Sequence, residues 1–229
     1  VCVDGIDILS LKGKDLQNAR GRLVAYVPQD PTSGLNPALR VGRQLREAIA
    51  IHRDTLTAGQ TIDERVVQLM EEVGLPSTKA FLNSYPHQMS GGQQQRVGIA
   101  MAFSCRPRVI VLDEPTTGLD VTTQRRVLDT VRQMTAEHQV TSVYVSHDLA
   151  VVAQLADQTA VLYAGRLVEQ SATEAMFRRM PKRTFLDVWR ATVSFVDPDP
   201  AYRTPVPLGL IRGAVGRRGR CPARHPERN

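Results

Sequence analysis

The sequence predicts an α/β fold in which a largely parallel sheet is interrupted by a helical insertion. Three observations carry that expectation. Beyond residue 105, strand-like apolar runs alternate with amphipathic helical segments, the order that builds parallel sheets. Between residues 39 and 104 the apolar positions instead recur at helical spacing. Finally, Val109, Ile110, Val111 and Leu112 form an unbroken apolar run that ends on two carboxylates, Asp113-Glu114, as a buried strand does when it opens onto a site.

Taken in order, residues 1–29 look like the end of a β-rich lobe. Asp4-Gly5 is a turn signal, and Leu23–Val27 alternates well enough to be a strand that stops at Pro28-Gln29. Residues 30–38 hold two prolines and a glycine and read as a loop. Val41, Leu45, Ala48 and Ile49 then fall on one helical face, as do Ile62, Val66, Leu69, Met70 and Val73. The second of these helices has Asp63 and Glu64 in its first turn and stops at Gly74, with Pro76 beyond. Ser90-Gly91-Gly92-Gln93 opens a third helix that continues through the apolar stretch Val97–Phe103.

After the strand Val109–Leu112 comes an amphipathic helix, Val121–Glu137, with Val127, Leu128, Val131 and Met134 on one face. A second strand, Ser142–Val145, ends at Ser146-His147, and a short helix spans Leu149–Ala156. Thr159–Tyr163 and Leu167–Gln170 flank Ala164-Gly165-Arg166 as a hairpin would. In sheets of this kind ligands sit beyond the carboxyl ends of the strands, so Glu114 and His147 are placed to face one site. Residues 190–229 lose this regularity; their six prolines and the Gly/Arg cluster Gly213–Arg220 predict irregular chain.

Bulk composition excludes several classes. The 229 residues suffice for a substantial core, and 42% apolar with 23% charged content is ordinary for a globular domain. No apolar run approaches the ~18 residues that cross a bilayer as a helix. The net charge of +6 is concentrated, since residues 190–229 carry eight arginines against Asp197, Asp199 and Glu227. The body of the chain is therefore close to neutral, and no nucleic-acid partner is expected. Three scattered cysteines, Cys2, Cys105 and Cys221, fall at no metal-ligand spacing.

The chemistry rests on a few positions. Ser90 can cap its helix while Gln93, three residues on, completes a capping box. A helix start with Gly91 and Gly92 also suits a phosphate, because unblocked amides and the helix dipole point at the ligand. The same residues equally suit a capped core helix with no ligand. Asp113 at a strand end can hold a magnesium ion, and Glu114 can polarise an attacking water. Asp120 follows the tight loop Pro115-Thr116-Thr117-Gly118-Leu119 and can cap the next helix. His147 could hydrogen-bond a phosphate, and the neutral side chain of Gln29 could reach a metal or a water.

Order and spacing join these positions. Gln29, Ser90–Gln93, Asp113-Glu114, Asp120 and His147 resemble the ABC-type ATPase series of Q-loop, signature, Walker B with catalytic glutamate, D-loop and H-loop, over roughly residues 1–180. Gln29-Asp30-Pro31 with Leu35-Asn36-Pro37, Tyr85-Pro86-His87-Gln88, and Tyr163-Ala164-Gly165-Arg166-Leu167-Val168-Glu169 are similar to the oligopeptide/dipeptide importer branch, motifs that nickel importers share. Met89 stands where the family usually has Leu.

The resemblance implies a P-loop NTPase-like core from residues 1–38 and 105–180, a helical signature subdomain at 39–104 and a basic, irregular C-terminal tail at 181–229. It implies ATP and Mg2+ as cofactors, with ATP held at a head-to-tail dimer interface formed with a second ATP-binding subunit of the same or another kind. Glu114 and His147 would be catalytic. Gln29, Ser90, Gly91, Gly92, Gln93 and Asp120 would bind nucleotide, and Asp113 and Gln29 the metal. Transmembrane permease subunits would contact the segment Pro37–Ile51, at the cytoplasmic face of the plasma membrane. No GxxxxGK followed by Ser or Thr occurs in the sequence, and Gly13-Lys14 is no substitute because Asp15 stands where Ser or Thr is needed. The resemblance puts that P-loop ahead of Asp4-Gly5. The expectation is thus an N-terminally incomplete chain that binds ATP poorly alone, the alternative being a truncated non-catalytic partner or an inert fragment.

Overall fold

The computed structural model describes residues 1–163, 166–179 and 192–196. A small antiparallel pair, β1 (Cys2–Val3) and β2 (Ile6–Asp7), turns at Asp4-Gly5. It leads through helix α1 (Gly13–Ala19) to strand β3 (Val24–Val27). Residues 1–29 are therefore less β-rich than expected. Likewise the expected loop at 30–38 contains a short helix, α2 (Pro31–Gly34), started by Pro31 and by Asp30, whose carboxylate accepts from the Thr32 amide at 2.8 Å.

The helical stretch follows as α3 (Val41–Ile51), α4 (Ile62–Glu72), α5 (Lys79–Leu82) and α6 (Gly91–Phe103). Helix α4 begins on a capping box, Thr61 with Glu64, and ends where Gly74 takes φ +62°, a conformation glycine adopts without strain. Strand β4 (Val109–Asp113), helix α7 (Val121–Glu137), strand β5 (Thr141–Ser146), helix α8 (Leu149–Leu155), strand β6 (Gln158–Tyr163), strand β7 (Arg166–Ala172) and helix α9 (Thr173–Arg179) complete the alternation. The expected turn at Ala164-Gly165 lies outside the described residues.

The main sheet has the order β3-β4-β5-β8-β6-β7, where β8 is Thr192–Val196. Strands β3, β4 and β5 are parallel, with Val27 opposite Leu112 and Leu112 opposite Tyr144. Strand β8 lies antiparallel between β5 and β6, and β7 pairs antiparallel with β6 at the far edge. This corrects the expectation of an irregular tail over 181–229, since five of its residues form an inner strand. Its Pro- and Arg-rich surroundings hide so short an apolar alternation. The rest of the tail, 181–191 and 197–229, lies outside the described residues.

One core runs without a break from the helical stretch into the sheet. Leu45, Ile49, Leu69, Met70, Val97 and Phe103 join Ala25, Val27, Ile110, Leu112 and Tyr144 in one buried cluster. Helix α7 adds Val127, Leu128, Val131 and Met134, each burial contributing about 1.5–3 kcal/mol. Because strand side chains alternate, Val109, Val111 and Asp113 face the other way, where Val109 and Val143 pack with Val3 in a smaller cluster. The wide helical side thus fixes the sheet, and the strand ends at Val27, Asp113 and Ser146 are left beside one another.

Candidate active site

Strand β4 turns sharply after Asp113. Glu114 takes φ +43°, unusual for a residue with a side chain, and its amide donates to the Val145 carbonyl at 2.9 Å. That bond carries the chain across the end of β5 and sets the Glu114 carboxylate among three side chains. Gln29, two residues past β3, donates from Nε2 to Oε2 at 3.1 Å. Thr117 donates its hydroxyl to the same oxygen at 2.9 Å. His147, just past β5, places Nδ1 2.8 Å from Oε1.

Burial pushes the Glu114 carboxyl up, but the hydrogen bonds from His147 and Thr117 and the His147 charge outweigh it, and the net shift is downward. The carboxylate is therefore held ionised at neutral pH. Asp113 points to the other side of the turn, where Tyr26 of β3 donates its hydroxyl to Oδ2 at 2.9 Å. A cavity of about 510 Å3 opens here, lined by Tyr26, Gln29, Asp30, Asp113 and Thr117 among others.

The second group of expected residues forms the start of α6. The Ser90 hydroxyl accepts from the Gln93 amide at 3.3 Å, and the Gln93 side-chain oxygen accepts from the Ser90 amide at 2.9 Å, the reciprocal capping box expected. The two glycines differ in their surroundings. A Cβ on Gly91 would come no closer than 3.8 Å to Leu119, whereas one on Gly92 would lie 2.3 Å from the Thr123 methyl of α7. Asp120 caps α7, its carboxylate accepting from the Thr122 and Thr123 amides at 3.1 and 3.0 Å. Hydrogen bonds from Thr123 hold that carboxyl below its usual range.

The structure therefore brings Gln29, Glu114 and His147 into one hydrogen-bonded cluster with Asp113 adjoining. It sets Ser90–Gln93 beside Leu119–Thr123 instead. Sequence reasoning missed Thr117 and Tyr26; the first is legible only as a loop hydroxyl, the second only once β3 and β4 are in register.

The donor set suits a hard cation. One carboxylate, Asp113, engages Oδ2 alone, and Gln29 uses its Nε2, so a carboxylate oxygen and an amide oxygen remain for metal. Magnesium is commonly held by one or two carboxylates together with waters and substrate phosphates. Among the described residues no group of three or more His, Cys, Asp or Glu is placed to hold a metal ion. In the same residues no helix is long and apolar enough to cross a membrane.

Parallel strands ending on a carboxylate pair, with a capped glycine helix packed beside the following loop, place the chain in the P-loop NTPase-like α/β class. A family model described as ABC transporter matches residues 3–117, half of the chain. The chain belongs to the ABC transporter family. An AAA domain model also matches residues 82–153. The chain is 39% identical over 185 residues to an oligopeptide transport ATP-binding protein of Lactococcus lactis subsp. cremoris, covering 81% of this chain and 54% of that protein. It is 40% identical over 174 residues to a dipeptide transport ATP-binding protein of Escherichia coli, covering 76% and 53%. The chain thus spans about half the length of the curated relatives it matches. Among solved structures it is similar to a dimeric post-hydrolysis ATP-binding cassette bound to ADP and phosphate, with TM-score 0.63, 27% identity, and coverage of 75% of this chain and 72% of that one.

Proposed function

We propose that this chain is part of an ATP-binding and ATP-hydrolysing subunit of an importer for peptides or similar solutes. The observation that carries the reading is the Glu114 carboxylate, ionised and gripped by Gln29, Thr117 and His147 at the ends of two parallel strands. In this reading Glu114 orients and polarises the attacking water, and His147 holds Glu114 and reaches toward a phosphate. Asp113 and the Gln29 amide oxygen would hold Mg2+, which would supply charge stabilisation for phosphoryl transfer. Two relatives named for peptide transport support the solute class.

Ser90, Gly91, Gly92 and Gln93 present a helix start to the nucleotide of a second ATP-binding subunit, and Asp120 borders the same interface. The dimeric cassette to which the chain is similar supports this pairing. Residues 39–104 form the signature-bearing subdomain, and Pro37–Ile51 meets transmembrane permease subunits at the cytoplasmic membrane face.

The test is Glu114→Gln in the full-length subunit, assayed for ATP turnover. A general base contributes about 10²–10⁴-fold, so turnover falls by at least about a hundredfold while the fold is kept. Turnover at the wild-type rate would overturn the assignment.

A further inference from the structure

We propose that Tyr26 is a positioning residue for Asp113, holding that carboxylate in the orientation that receives the divalent cation. This rests on the reading of Asp113 as the metal carboxylate.

Register explains how the contact arises. Tyr26 lies opposite Val111 in the parallel β3–β4 pair, and Asp113 is two residues beyond Val111, on the same sheet face. A diagonal neighbour at that spacing is within reach of an aromatic side chain. The hydroxyl meets Oδ2 of Asp113 at 2.9 Å.

Packing does not account for the ring. Tyr26 is 57% exposed, while its strand neighbours Ala25 and Val27 are buried in the core on the opposite face. The ring instead walls the cavity that Asp113, Gln29 and Thr117 also line.

The bond restricts a carboxylate that otherwise rotates broadly about its last torsion. With Oδ2 engaged, Oδ1 is the oxygen offered to a cation. Groups that hydrogen-bond a ligating carboxylate typically change metal affinity by about 10–100-fold when removed. Tyr26 acts through Asp113 and touches no reacting atom in this scheme.

The test uses Mn2+ as a paramagnetic stand-in for Mg2+, titrated into the full-length protein with ATP and followed by electron paramagnetic resonance. Wild type, Tyr26→Phe, Asp113→Asn and the double variant are compared. Tyr26→Phe should lower Mn2+ affinity about tenfold with circular dichroism and melting temperature unchanged. Asp113→Asn should lower it further, and adding Tyr26→Phe to it should change nothing more. Tyr26→Phe binding as wild type while Asp113→Asn loses the ion would overturn the role of Tyr26. Equal affinity in wild type and Asp113→Asn would overturn the metal role of Asp113 itself, and this proposal with it.

Discussion

Gly92 separates two uses that the start of α6 could have. A Cβ built there lies 2.3 Å from Cγ2 of Thr123, but 3.6 Å from its Cβ and 3.8 Å from its Oγ1. Carbon atoms pack at about 3.5–4.0 Å, so the collision is with one methyl group alone. Threonine is stiff about χ1, and the Thr123 amide ties the first turn of α7 to Asp120, so the methyl cannot swing aside freely. Gly92→Ala must therefore part α6 from α7 or break that contact. Overpacking of this kind costs about 1–3 kcal/mol, and the better helix propensity of alanine offsets at most about 1 kcal/mol.

The net loss of about 1–2 kcal/mol should lower the melting temperature of a domain this size by roughly 2–4 °C per kcal/mol. Thermal unfolding followed by circular dichroism reads it. Thr123→Ser removes only the offending methyl, so Gly92→Ala combined with Thr123→Ser should melt close to the Thr123→Ser parent. Gly91→Ala, whose nearest new contact is Leu119 at 3.8 Å, should keep wild-type stability. A Gly92→Ala protein that melts with wild type, or one that Thr123→Ser does not rescue, would refute the packing explanation.

Two further outcomes follow from the charged groups. Glu72 is 3.2 Å from the buried Arg65 and 2.9 Å from His138; burial pushes its carboxyl up, but the His138 hydrogen bond and the Arg65 charge bring the net value below its ordinary 4.5. The stabilisation is therefore complete above that ordinary value and is lost as pH falls through the lower folded one, so Glu72→Gln should lose about 3–5 kcal/mol in urea unfolding at pH 7, a deficit that shrinks toward pH 3. His147→Ala removes the partner 2.8 Å from Glu114 and leaves burial less opposed, so the Glu114 carboxyl, followed by carbon-detected NMR titration, should titrate at higher pH than in wild type.

What was legible in the sequence is what local rules determine. Helix α7 has the expected bounds because Asp120 caps it and four apolar residues repeat at its period. Helix α4 stops where Gly74 must. Helix α1 was not legible, because Gly13–Ala19 buries only Ala19 and so shows no apolar period. Strand β8 depends on β5 and β6 being already in place. The candidate cluster divides the same way: Gln29, Asp113, Glu114 and His147 stand out at strand ends, but their convergence depends on the left-handed turn at Glu114 and its bond to Val145. Tyr26 and the Gly92–Thr123 contact depend on pairings between segments distant in sequence, which no local pattern encodes.

The stretch Asp113–Thr123 links the two groups of residues physically. It begins with the carboxylates and folds back through Thr117, whose hydroxyl bonds Glu114. Gly118, at φ +77°, lets the loop turn, and Leu119 then lies nearest to where a Gly91 side chain would begin. Asp120 caps α7, and Thr123 abuts Gly92. A displacement of Glu114 can therefore reach the Ser90 helix through one short loop and the first turn of α7, without rearranging the buried core. That core, continuous from Leu69 to Tyr144, resists deformation because close-packed interiors transmit strain and do not absorb it. The Gly92 and Thr123 substitutions act on the far end of this link. If it is mechanical, the Gly92→Ala protein should also show altered amide exchange at Thr117 and Gly118, and Thr123→Ser should restore it together with stability.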